Sequence, residues 1–158
     1  HCLGTADVAA HAGKAAEATP AILEGVGLHR GDMFLYDNLA AQCRMFGLPV
    51  QKAERAIDHF LEDDEPLRFG QGALRVLHTP GHTPGSCCFL LEEGGLLFSG
   101  DTLFAMGIGR TDMPGGDSEL ILKIIRERLF TLDDGVNVLP GHGRATRIFE
   151  EKRMNPFF

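Results

Sequence analysis

A chain of 158 residues, 44% hydrophobic and 23% charged, is sized for one domain, residues 1–158, with a hydrophobic core of its own. Its net charge of −7 argues against a nucleic-acid partner, because phosphate contacts need clustered Lys and Arg and no basic run occurs. No apolar run approaches the length of a membrane span, so no membrane partner is expected either.

The chain opens on His1 rather than on methionine. Just behind it, Thr5 is placed to cap a short helix, ADVAAHA, that stops at Gly13. The Ala-rich piece from Lys14 to Gly25 reads equally as helix or as irregular chain. After Asp32 a helix is predicted, with Leu35, Leu39, Cys43 and Phe46 at helical spacing and Gly47-Leu48-Pro49 as its stop. The acidic run Glu62 to Pro66 reads as a solvated loop.

From Leu67 the pattern changes to strands. LRF and ALRVLH flank Gly70-Gln71-Gly72 as a hairpin, and SCCFLLE and LLFSG flank Glu93-Gly94-Gly95 as a second. Their continuous apolar character predicts burial on both faces. SELILKIIRERLF then carries a wide apolar stripe, with Asp117 as N-cap and Arg126 and Arg128 near the far end. VNVL is one more short strand, ending at Pro140, and a last helix follows Thr146. Helix-rich first and strands interleaved with helices later, the order gives an α/β class. Cys2, Cys43, Cys87 and Cys88 include no CxxC pair, and Cys87 and Cys88 point to opposite faces of a strand. They read as buried thiols of a reduced, cytoplasmic protein.

Three places repeat one design: a strand ends, the chain turns on Gly or Pro, and a metal-ligating residue type sits in the turn. These are His82 in HTPGHTPGS, Asp101 in LLFSGDTLF and His142 in VNVLPGHGR. Loops at strand ends are where a rigid scaffold presents side chains toward one point. Two imidazoles and one carboxylate suit Zn, Fe or Mn. His29 and His78, outside this pattern, read as packing or surface histidines.

The segments LHTPGHTPGS, LFSGDTLF, GIGRTDMPGGD, VLPGHGRAT and EEKRMNPFF, with AAQCRMFGL upstream, resemble the metallo-β-lactamase superfamily, and within it the short glyoxalase II-like hydrolases that lack a C-terminal helical domain. The resemblance implies an αββα sandwich with two divalent metal ions, Zn first and Fe or Mn as alternatives, along one edge of the sheets. It implies His82 on the first metal, Asp101 as the bridging carboxylate and catalytic residue, and His142 on the second. The family's HxHxDH motif would end at His1, a ligand of the second metal, unless His1 is simply the point where the chain was cut. The chain as it stands is then an N-terminally incomplete sandwich, with His1, Asp101 and His142 on one metal but only His82 and Asp101 on the other. It would hold a single metal in that form.

The implied activity is hydrolysis of a thioester by a metal-bound hydroxide, with a glutathione thioester as the small-molecule substrate. Arg110 in GIGRTD falls where related enzymes place a basic residue for a glutathione carboxylate; its other reading is an ion pair with Asp112 or Asp117. Two readings compete with the hydrolase: a mononuclear-iron persulfide dioxygenase, and a non-catalytic remnant of the fold. The GHG loop favours the hydrolase.

Overall fold

A computed structural model describes residues 25–50, 56–69 and 72–158. The helix expected after Thr5, the Ala-rich piece up to residue 24, and His1 and Cys2 lie outside the described residues.

Strand β1 (Gly27–Leu28) leads through a single 3-10 turn, Arg30–Asp32, into two short helices, α1 (Met33–Asp37) and α2 (Leu39–Met45). The sequence predicts one continuous helix here. It breaks at Asn38, whose backbone leaves the helical region at φ −103° and ψ 21°, and whose side-chain amide donates to the Phe34 carbonyl at 2.7 Å. Asn competes in this way for the backbone groups that a helix needs. Strand β2 (His59–Phe60) pairs in parallel with β1.

Next come β3 (Pro66–Phe69), β4 (Gly72–His78), β5 (Cys87–Leu91), β6 (Leu96–Gly100) and a small hairpin of β7 (Leu103–Phe104) and β8 (Gly107–Ile108). Helix α3 (Ser118–Ile124) runs on as a π-helical turn, Ile125–Leu129. Asp117 caps it as expected, accepting from the backbone N–H groups of Glu119 and Leu120 at 3.0 and 2.9 Å. Strands β9 (Asn137–Pro140) and β10 (Thr146–Arg147) and helix α4 (Ile148–Met154) complete the order.

Six strands form one mixed sheet in the order β10-β9-β6-β5-β4-β3. All its pairs are antiparallel except β6 with β9, whose connection carries α3. On one face, Leu77, Cys88, Leu90, Leu97 and Val138 bury against Ile121, Ile125 and Leu129 of the long helix and Ile148 of α4. The other face packs less completely. Leu61, Leu67 and Val76 form a second cluster with Leu74, Cys87 and Phe89 alongside, but Phe98 of β6 remains 40% exposed and Phe69 of β3 38%. The expectation that these strands are buried on both faces is thus corrected for β3 and β6. Among the described residues the other sheets are the β1–β2 and β7–β8 pairs, two residues per strand, too short to cover six strands.

The acidic run stays at the surface but is tied down. Asp63 takes a forked pair of hydrogen bonds from Arg128 at 2.7 and 3.0 Å, joining the run to the long helix. Among the described residues no helix is long and apolar enough to cross a membrane.

Candidate metal centre

Strand direction brings the three singled-out loops to one edge. Because β5 is antiparallel to both β4 and β6, and β9 is parallel to β6, strands β4, β6 and β9 all run the same way. The loops bearing His82, Asp101 and His142 each follow the C-terminal end of one of these strands. Gly100 and Pro140 stand opposite each other in the parallel pair, so Asp101 and Gly141 leave adjacent strand ends side by side.

The Pro/Gly surplus of the His82 loop has a local cause. The loop is closed at its neck by the Thr79 N–H donating to the Ser86 carbonyl at 2.8 Å, and the Ser86 hydroxyl accepts from the Thr83 N–H at 3.0 Å. Gly81 sits at φ +135°, where a Cβ would lie 2.5 Å from the Cβ of Ile121. Only glycine lets the loop pass so close to the start of α3 in that conformation.

His82 and His142 flank one carboxylate. Their Nε2 atoms stand 3.6 Å from Oδ2 and 3.6 Å from Oδ1 of Asp101, respectively. The Nδ1 of His82 lies 2.7 Å from the Arg110 carbonyl, which can only accept, so Nδ1 carries the proton. In the neutral ring Nε2 then presents its lone pair toward Asp101. Two acceptors facing each other need a cation or a proton between them. Two donors on a tetrahedral ion with ~2.1 Å bonds stand ~3.4 Å apart, so the observed separations fit a shared cation on each side of the carboxylate. A hydrogen bond fixing the far nitrogen of an imidazole is the usual companion of a metal-ligating histidine.

The backbone is cut to the same shape. A Cβ on Gly109 would lie 1.8 Å from the Asp101 carbonyl oxygen and 3.2 Å from the His82 Cβ, and one on Gly141 would lie 2.6 Å from Asp101 Oδ1. Gly141 therefore leaves room beside the carboxylate, and Gly109 lets its chain pass close against the Asp101 backbone and the base of the His82 side chain. Among the described residues no three His, Cys, Asp or Glu side chains close on a single point. The geometry is two half-sites sharing Asp101, and His1 lies outside the described residues.

Several residues that support the site carry no sequence motif of their own. Buried Thr79 and Thr102 join hydroxyls at 3.0 Å, and Thr79 also meets the Cys88 thiol at 3.3 Å, linking the His82 and Asp101 loops beneath the site. Glu151, 1% exposed, accepts from the Met106 N–H, the Thr146 hydroxyl and the Asn155 amide at 2.9, 2.6 and 2.8 Å. It thereby fixes the β7–β8 hairpin, where Met106 adopts φ +62°, and this hairpin places the Phe104 ring edge against His142 with centroids 6.2 Å apart. A hydroxyl or carboxylate inside an otherwise apolar stretch is the only sequence signal such residues give.

Arg110 is exposed and holds Asp112 through two parallel bonds of 2.7 Å each, whereas Asp117 is occupied as a helix cap. The hydrogen bonds from Arg110 hold the Asp112 carboxyl down to about 2. Burial pushes the Cys87 thiol up to about 12 and that of Cys88 to about 11. His29 and His78 do pack, stacked on one another with centroids 3.9 Å apart.

Comparison with known proteins places the chain in a family. The chain is 42% identical over 131 residues to the hydroxyacylglutathione hydrolase GloC of Haemophilus influenzae, an alignment that takes in 83% of this chain and 62% of that protein. Among solved structures, the BLEG-1 B3 metallo-beta-lactamase aligns with a TM-score of 0.79 at 34% identity, over 95% of this chain and 70% of that one. TTHA1623, solved in a di-iron-bound form, gives 0.77 at 35% identity over 95% and 71%. ETHE1 from Myxococcus xanthus gives 0.65 at 30% over 96% and 69%. The chain therefore spans less than two thirds of its hydrolase relative. The family model of the metallo-beta-lactamase superfamily matches residues 3–142, through the loops of His82, Asp101 and His142, and the chain belongs to that superfamily.

Proposed function

We propose that this chain, as one domain over residues 1–158, carries part of the active centre of a metal-dependent thioester hydrolase, with glutathione thioesters as its substrates. The observation that carries the reading is the pair of Nε2 atoms set 3.6 Å from the two oxygens of one carboxylate at the sheet edge. Likeness to a hydroxyacylglutathione hydrolase supports the substrate class.

Two divalent cations bound there would supply Lewis acidity and an activated water at neutral pH. In this reading His82 would hold the first cation and His142 the second, with His1 added to the second, and Asp101 would be the carboxylate they share. Zn is our first choice of metal, and the di-iron form of a related structure keeps iron in view. Arg110 binds a substrate carboxylate: its guanidinium already holds one, from Asp112, in the forked geometry that such a ligand takes. Glu151 and the Thr79–Thr102 pair keep the three loops in register while substrate exchanges.

The test is metal analysis and thioester hydrolysis by the full-length protein. The reading predicts two metal ions per chain and hydrolysis of S-lactoylglutathione, with the first ion and the activity lost in His82→Ala. One iron per chain with oxygen uptake on glutathione persulfide would establish the dioxygenase instead. A full-length protein that binds no metal would be the non-catalytic remnant.

A further inference from the structure

The segment His29–Asp32 grips the His82 loop from outside, and nothing in the proposed chemistry uses it. Asp32 stands at the N-cap position of α1, where an aspartate ordinarily accepts from the first helical N–H groups. Here its side chain makes no cap hydrogen bond at all. Both oxygens go to the loop instead: Oδ1 accepts from the Gly85 N–H at 2.7 Å, and Oδ2 accepts from the Thr83 hydroxyl at 2.7 Å. Since Thr83 spends its proton on Asp32, the Ser86 hydroxyl, 2.8 Å away, must donate to Thr83. One carboxylate thus orders the whole chain of hydroxyls on the C-terminal side of His82.

The rest of the segment reinforces the grip. A Cβ on Gly31 would lie 2.7 Å from the Pro84 carbonyl carbon, and one on Gly85 would lie 2.6 Å from Asp32 Cγ, so the two strands of backbone approach as closely as glycine permits. The His29 ring stacks on His78, whose Nε2 is 2.8 Å from the Pro84 carbonyl and so donates to it. Arg30 lies over the Phe60 ring at 3.9 Å and anchors the segment to β2. The segment therefore meets the loop and its root at His78, Thr83, Pro84 and Gly85, with His82 between these points.

We infer that Asp32 is a positioning residue for His82, acting through Thr83 and Gly85 to hold the imidazole ready for its cation. The inference rests on the reading of His82 as a metal ligand. Partners that orient metal ligands typically change metal affinity 10–100-fold when removed.

The experiment is a metal-competition titration of the full-length protein, together with the absorption spectrum of its Co²⁺ form. Asp32→Ala is expected to weaken binding roughly 10-fold and shift the Co²⁺ spectrum. Asp32→Asn keeps an acceptor for Gly85 and a partner for the Thr83 hydroxyl, and is expected to restore most of both. Val136→Ala, a core truncation away from the loop, separates general destabilisation from positioning and should leave metal affinity unchanged. If Val136→Ala weakens the metal as much as Asp32→Ala does, the positioning role is overturned. If His82→Ala weakens binding and Asp32→Ala does not, Asp32 is overturned and the ligand reading survives. If His82→Ala itself leaves affinity unchanged, the ligand reading falls and takes this inference with it.

Discussion

Two histidines stand equally far from Asp101 in unlike circumstances. The His82 side chain is 20% exposed, its Nδ1 is fixed by the Arg110 carbonyl, and its loop is closed on itself and gripped from outside. The His142 side chain is 71% exposed on a three-residue Gly-His-Gly turn at the end of β9, with the edge of Phe104 beside it. The first is set in place by its surroundings before any ligand arrives. The second is presented toward solvent. A site built this way gains affinity from the preorganised side and access from the open one.

The largest expected effect removes what the two sides share. Asp101→Asn replaces one carboxylate oxygen with an N–H donor and so turns one of the two histidines against a donor rather than an acceptor. Metal affinity should fall by at least ~100-fold, beyond what the loss of an orienting partner costs. A competition titration with stoichiometry measures it. Should one full equivalent of metal survive at the original affinity, the two half-sites do not depend on a common carboxylate.

A smaller effect separates the sides. Gly109→Ala drives a methyl against the Asp101 carbonyl and the His82 Cβ, both held by packed backbone, and should cost up to ~3 kcal/mol in urea unfolding. Gly143→Ala meets no atom within 4 Å but keeps φ +81°, so its cost is backbone strain alone, ~1 kcal/mol. The contrast predicts that Gly109→Ala also weakens the metal, through the crowded histidine, while Gly143→Ala changes it little. Equal losses at the two glycines would mean that the sides are equally built.

The same contrast decides what could be read from the chain alone. Loops that break strands with Pro and Gly around a His or Asp are visible in sequence because the breaks are local, and so are the Asp117 cap and the long helix behind it. What grips those loops is not local. Asp32 lies 51 and 53 residues from Thr83 and Gly85, and Glu151 lies 45 from Met106, so each looks like an ordinary helix residue until the fold brings its partners near. Asp32 in particular was legible as a helix start, since aspartate favours that position, yet its carboxylate serves the loop. The exposure of Phe98 was hidden for a different reason. An apolar run reports that a face is suited to burial, while the cover depends on elements elsewhere in the chain.

The smallest effect concerns acid. Burial, and then the neighbouring His78, lower the affinity of His29 for a proton, outweighing the opposing fields of Asp32, Glu62 and Asp63. With a folded pKa below the unfolded 6.5, the unfolded chain binds more protons as pH falls through 6.5, so stability drops in that window and levels off once the folded ring is also protonated. Protonation would set a charged ring against His78, whose own N–H holds Pro84 on the gripped side of the site. His29→Asn retains an acceptor for the Gly31 N–H, which His29 Nδ1 accepts at 3.2 Å, but has nothing to titrate. Melting temperatures at pH 7.5 and pH 5.5 should therefore differ less in the variant than in the parent protein. An unchanged difference would show that the stacked pair adds nothing to the acid sensitivity of the His82 side.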